Sequence, residues 1–126
     1  MSCVLDASAL LAWANDEAGG EAVFEYIATA EISTVNFSEV LQKAASRGVA
    51  AAGLATDLLA LGLQLRPFSV RHAELAAGLW PHTQKLGLSL ADRACLALGL
   101  DRNLPVITAD RQWSGLDLGI AIELIR

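Results

Sequence analysis

The 126 residues predict a single α/β domain, a mostly parallel sheet flanked by helices. Three observations carry that expectation. The apolar runs Cys3-Val4-Leu5 and Pro105-Val106-Ile107-Thr108 do not alternate with polar residues, the pattern of strands buried on both faces. Helical stretches separate each strand from the next, and parallel neighbours require such crossovers. A chain of this length also buries roughly two-thirds of its unfolded surface, so the fold needs no disulfide staple.

Taken in order, residues 3–5 form the first strand, which ends abruptly at Asp6. Residues 7–15 continue as an Ala- and Leu-rich helix that stops before Gly19-Gly20. A second helix covers 21–30, with Val23, Phe24, Ile27 and Ala28 facing inward. Residues 31–35 are short and β-branched and make the second strand. Asn36 then opens a helix running to about Arg47. Residues 50–61 form another helix, closed by Gly62, and 63–68 an edge strand, since Pro67 cannot sit in a central one. The next helix covers 70–80, breaks at Pro81 and resumes as far as Leu86. A turn at 87–89 leads to a helix over 90–100, a strand over 105–108, a short turn over 110–113 and a last strand over 120–125. No repeat, low-complexity segment or linker divides the chain, so residues 1–126 are expected to be one domain.

Nine basic against fourteen acidic residues give a net charge of −5, the wrong sign for a broad basic nucleic-acid face. Four acids withdrawn into a cation site would leave the remainder near neutrality. Asp16, Glu17, Glu21, Glu25 and Glu31 meet no Lys or Arg in their own span, as a solvated acidic face would. The mean hydropathy is +0.43, yet no apolar run approaches the ~18 residues of a membrane span. Cys3 and Cys95 lie in apolar segments and are expected as buried thiols of a reducing, cytoplasmic compartment. The N-terminal stretch has no basic region or cleavage signal.

Four acids call for a cation. Asp6 stands just past the first strand, at the carboxyl edge where parallel sheets bind ligands. A helix over 90–102 spans roughly 20 Å at ~1.5 Å per residue. The strand over 105–109 returns about 16 Å at ~3.3 Å per residue. Asp92 and Asp110 therefore come back to one edge, and Glu39 joins Asp6 by the same logic. Each acid has a local structural role open to it: Asp6 as a helix cap, Asn36-x-x-Glu39 and Ser89-x-x-Asp92 as capping boxes. Four acids sharing one edge repel one another unless cations neutralise them. Carboxylate oxygens favour Mg²⁺ or Mn²⁺, and no His/Cys cluster invites zinc. Such ions suit phosphodiester chemistry.

Val4-Leu5-Asp6-Ala7-Ser8-Ala9-Leu10, Asn36-x-x-Glu39-Val40, Ser89-x-x-Asp92 and Thr108-Ala109-Asp110-Arg111-x-Trp113 together resemble the four motifs of PIN-domain nucleases, most of all VapC-type toxins of toxin–antitoxin pairs. The resemblance covers essentially the whole chain. It implies a PIN-like three-layer sandwich and a Mg²⁺- or Mn²⁺-dependent endoribonuclease that forms a homodimer and is inhibited by a cognate antitoxin. It carries the catalytic and metal-binding roles onto Asp6, Glu39, Asp92 and Asp110, and supporting hydroxyls onto Ser8 and Thr108. Gln112 and Trp113 stand where many relatives place a further acid. Arg93 and Arg111, each directly after a site acid, are the candidate RNA contacts. Glu39, Lys43 and Arg47, four apart on one helix face, favour surface ion pairs over a phosphate track.

Other chemistries find less support. No G-x-G-x-x-G or P-loop lysine occurs. A haloacid-dehalogenase-like phosphatase needs a second Asp where Ser8 stands, and a receiver domain needs one near Arg66-Pro67-Phe68. His72 and His82 are expected to be surface or structural, and Trp13, Trp80 and Trp113 core or interface. The alternatives to the nuclease are a PIN-like fold used as a non-enzymatic interaction module, or a metal-dependent phosphatase. Loss of a site acid would mark the former, and all four are present.

Overall fold

Strands β1 (Cys3–Leu5), β2 (Ala30–Ser33), β3 (Gln64–Arg66), β4 (Val106–Thr108) and β5 (Ile122–Leu124) form one sheet in the order β3-β2-β1-β4-β5. The computed structural model describes residues 2–126; Met1, where the single-domain expectation begins, lies outside the described residues. Every strand pair is parallel, so the sheet exceeds the mostly parallel expectation. The edge position expected for β3 holds.

Alternation along the central strand β1 builds two cores. Cys3 and Leu5 face one layer, with Leu10 and Leu11 of α1 (Ala7–Ala14), Val23 and Ile27 of α2 (Gly20–Ile27), Val40 of α3 (Thr34–Ser46) and Leu58 of α4 (Ala51–Ala60). Val4 faces the other, with Leu79 of α5 (Val70–Thr83), Cys95, Leu96 and Leu98 of α6 (Leu90–Arg102), and Trp113. The product is an α/β sandwich of three layers. Trp113 is fully buried, Trp13 packs on the first core and Trp80 stays exposed.

Sequence and structure part company at four places. Ser33, not Asn36, caps α3: its Oγ accepts from the Val35 N–H at 3.3 Å, so the helix begins at Thr34. Pro81 does not break α5, because it sits in the exposed last turn where its missing N–H costs one hydrogen bond. Phe24 and Ala28 face solvent; Gly20, Val23 and Ile27 are the buried residues of α2, and Phe24 leans on Trp13 with ring centroids 6.2 Å apart. Glu31 is no part of a solvated acidic face. It is buried on β2, where Arg66 and Arg102 both donate to it at 2.9 Å. Burial opposes the Glu31 charge, but those two guanidinium groups outweigh it and hold the carboxyl below its usual range.

The strand order positions the site. The chain moves outward from β1 to β2 and β3, then crosses to β4 and β5 on the other side of β1. The crevice between the carboxyl ends of β1 and β4 is the switch point of the sheet, where open α/β folds bind ligands. Asp6 follows β1 there, and Thr108 ends β4.

Candidate functional site

Asp6 occupies the N-cap position of α1, but its side chain caps nothing. The carboxylate is buried, and its Oδ2 accepts two hydroxyl protons, from Ser8 at 2.6 Å and from Thr108 at 2.9 Å. Each hydroxyl in turn accepts a backbone N–H: Ser8 from Ala109 at 2.9 Å and Thr108 from Asp110 at 3.1 Å. The simple capping role is thus removed for Asp6, and Ser8 and Thr108, the hydroxyls that the resemblance implies, are its cradle. Burial pushes the Asp6 carboxyl up to about 6; the two hydroxyls oppose that, and the nearby charges of Asp92 and Glu39 add to it.

Glu39 lies in the second turn of α3, half-buried, with Lys43 at 3.6 Å from its Oε2. Asp92 enters from the first turn of α6 and forms the expected capping box: its Oδ2 accepts from the Ser89 N–H at 2.9 Å, and the Ser89 Oγ accepts from the Asp92 N–H at 3.1 Å. Asp110 follows Thr108 directly, and its Oδ1 accepts from the Gln112 N–H at 3.0 Å at the head of the 3-10 turn Arg111–Gly115. The four acids therefore share a local pattern. In each, one oxygen is engaged by the protein and the other has no hydrogen bond among the described residues.

Among the described residues, no three acid, His or Cys side chains converge into a ready-made coordination group. Asp92 and Asp110 each turn one oxygen back on their own helix start, and Glu39 is met by Lys43. The donor set is nevertheless all oxygen and negatively charged, and at Asp6 burial first, then the charges of Asp92 and Glu39, oppose ionisation, which fits a hard divalent cation.

Asn36 has a role different from the cap its spacing suggested. It is fully buried in α3, and its Nδ2 donates to the Ala91 carbonyl at 2.9 Å, immediately before Asp92. One side chain thus ties the helix of Glu39 to the first turn of the helix of Asp92. The Asn-x-x-Glu spacing singles Asn36 out, but its partner is 55 residues away and invisible to local pattern.

Cys95 lies beneath the acids. Burial, then the charges of Asp6, Asp92 and Glu39, lift its thiol well above the usual range, so it stays protonated and supplies neither ligand nor nucleophile. Cys3 and Cys95 are both free and buried, as expected. Arg93 is partly buried and donates to the Ala76 carbonyl of α5 at 3.0 Å, so its guanidinium is committed within the fold. Arg111 is exposed and its Nε donates to the Arg126 carbonyl at 3.3 Å. His72 is structural: it is buried, and its Nε2 lies 2.8 Å from Asp101 Oδ2. His82 is exposed.

The sequence pattern of one family, the PIN domain, matches residues 3–118 of this chain. No curated protein matches it significantly. Among solved structures, a toxin–antitoxin complex from Klebsiella pneumoniae is similar with a TM-score of 0.74 and 20% identity, over 90% of this chain and 92% of that one. DNA-bound VapBC from Salmonella typhimurium matches with a TM-score of 0.75 and 16% identity, over 100% and 99%. FitAcB from Neisseria gonorrhoeae gives 0.72 and 18%, over 99% and 98%. At these identities the likeness is one of fold.

Proposed function

This chain belongs to the PIN-domain family, and from that premise we propose that it is a divalent-metal-dependent endoribonuclease, the toxin of a VapBC-type toxin–antitoxin pair. What supports the reading is Asp6, buried at the end of β1 and within reach of the charges of Asp92 and Glu39, with Asp110 directly after Thr108 at the end of β4, each acid having one oxygen engaged and one free. Asp6, Glu39, Asp92 and Asp110 would hold Mg²⁺ or Mn²⁺, which supplies an activated water and neutralises charge on the phosphoryl oxygens. Ser8 and Thr108 fix Asp6 Oδ2, leaving Oδ1 the oxygen available for binding. Asn36 sets the spacing of the Glu39 and Asp92 helices. Of the two candidate RNA contacts, exposed Arg111 is favoured over Arg93, which is partly buried and bonds the Ala76 carbonyl.

Two partners complete the reading. Complexes of toxin with antitoxin are the state in which several similar folds are found, which supports a protein inhibitor here. A partner Arg or Lys offered to the acid pocket would satisfy the same charges as a cation. Val70, Trp80, Leu86 and Leu90 stand exposed on α5, the turn after it and the start of α6, apolar surface suited to a second copy of the chain. No helix among the described residues is long and apolar enough to cross a membrane.

The test is cleavage of a mixed RNA pool by purified protein. Cleavage is expected with Mg²⁺ or Mn²⁺ and is expected to vanish with chelator; cleavage that survives chelation, or none with either metal, contradicts the proposal. Light scattering on the same sample should give twice the 13.3 kDa chain mass, and a monomer with full activity would remove the dimer from the mechanism.

A further inference from the structure

We propose that the polar groove beside Ser8, walled by Lys43, Arg47 and Arg126, is a subsite for the sugar–phosphate backbone of single-stranded RNA next to the cleaved bond. The inference rests on the nuclease reading above and adds where the strand runs. The groove is lined by Ser8, Asn15, Glu17, Lys43, Arg47 and Arg126 among others, with a volume of about 290 Å³. Ser8 is the residue whose hydroxyl holds Asp6, so the groove opens directly off the acids. Lys43 is shared with Glu39 and Arg126 with Glu17, so Arg47 is the lining cation that no carboxylate pairs among the described residues, in a chain of net charge −5.

Four of the nine basic side chains are engaged away from this groove. Arg66 and Arg102 are spent on buried Glu31, Arg71 on Asp101, and Arg93 on the Ala76 carbonyl. Of the other five basic residues, Lys43, Arg47 and Arg126 line this groove, and Arg111 holds the Arg126 carbonyl. Lys85 alone stands elsewhere. Arg126 reaches across to Glu17 at 3.1 Å and to the Ala18 carbonyl at 3.2 Å, which closes one wall. Arg47 pairs with no carboxylate among the described residues, so the ion-pair run expected of this helix face ends at Glu39–Lys43. Along α3, Arg47 lies about 12 Å from Glu39 at ~1.5 Å per residue. That row leads from the acids outward, as a backbone-tracking groove for single strands does.

The experiment measures binding of a fluorescein-labelled single-stranded RNA by anisotropy, from 50 to 200 mM salt with Mg²⁺, in an Asp92→Asn background that holds the RNA uncut. For single strands the slope of log affinity against log salt is roughly −0.7 per phosphate contact. Adding Arg47→Gln should weaken binding several-fold and flatten the slope by ~0.7, and adding Lys43→Gln as well should flatten it by ~1.4 in all. Arg71→Gln, an exposed charge on the other layer, should leave the slope unchanged. All three positions are solvent-exposed, and a thermal melt of each variant confirms folding. Slopes in the Arg47→Gln and Lys43→Gln proteins equal to that of Arg71→Gln overturn the subsite. If wild-type protein still cleaves RNA, the nuclease reading survives that result; if it neither binds nor cleaves, both fall together.

Discussion

Asp92→Asn is expected to abolish metal-dependent RNA cleavage, by a thousandfold or more, while the protein stays folded. Loss of one charged metal ligand removes several kcal/mol of transition-state charge stabilisation, and ~1.4 kcal/mol is tenfold in rate. Stability should change little, because the anchored role of Asp92 does not need a charge. Its Oδ2 accepts the Ser89 N–H at 2.9 Å, and the amide oxygen of Asn can accept the same bond. The residual cost is the weaker interaction with the helix dipole, about 0.3–1 kcal/mol. Cleavage assays with Mn²⁺ and a denaturant melt, run on one preparation, separate the two effects. Wild-type cleavage by the folded variant would strip Asp92 of its role.

Asp6→Asn should behave in the opposite sense on stability: more stable than wild type without metal, and indifferent to metal. The Asp6 carboxyl, at about 6 in the folded chain, lies above its unfolded value because burial disfavours the charge. Between roughly pH 4 and 6 the folded state therefore holds a proton that the unfolded state has released. Its contribution to stability is full below the unfolded pKa and is lost as pH rises through about 6. At neutral pH the buried charge costs on the order of 2–3 kcal/mol. Asn removes that cost, and its amide oxygen still accepts the Ser8 and Thr108 hydroxyls. Metal-free wild type should thus melt higher at pH 5 than at pH 7.5, with the gap much reduced in Asp6→Asn. Added Mg²⁺ or Mn²⁺ should raise the wild-type melting temperature at pH 7.5, less so as pH falls through 6, and not that of the variant. An equal metal response in both proteins would contradict the assignment of Asp6.

Much of this was legible in the sequence, because the fold is dictated by buried apolar strands and by strict strand–helix alternation. Rise per residue alone returned Asp92 and Asp110 to the edge where Asp6 stands. What local pattern missed are partnerships across the chain. Asn36 looked like a cap because Asn caps well, yet Ser33 takes that place and Asn36 bonds Ala91 across the layer. Glu31 looked solvated because no cation stood near it in sequence; Arg66 and Arg102 lie 35 and 71 residues away. Arg93 looked free for RNA because it follows Asp92, but successive helix residues point in different directions and Arg93 meets α5. Pro81 reads as a breaker, yet an exposed position in the last turn tolerates a missing N–H.

The central claim is that Asp6, Glu39, Asp92 and Asp110 hold one divalent-cation site at the β1/β4 switch point. Anomalous diffraction from crystals soaked in Mn²⁺ tests it most directly. The account predicts a manganese peak in that crevice, at metal–oxygen distances near ~2.1 Å from the free oxygens of Asp6 and Asp92. A crevice without manganese at millimolar concentration, or a peak that none of the four carboxylates touches, would contradict it.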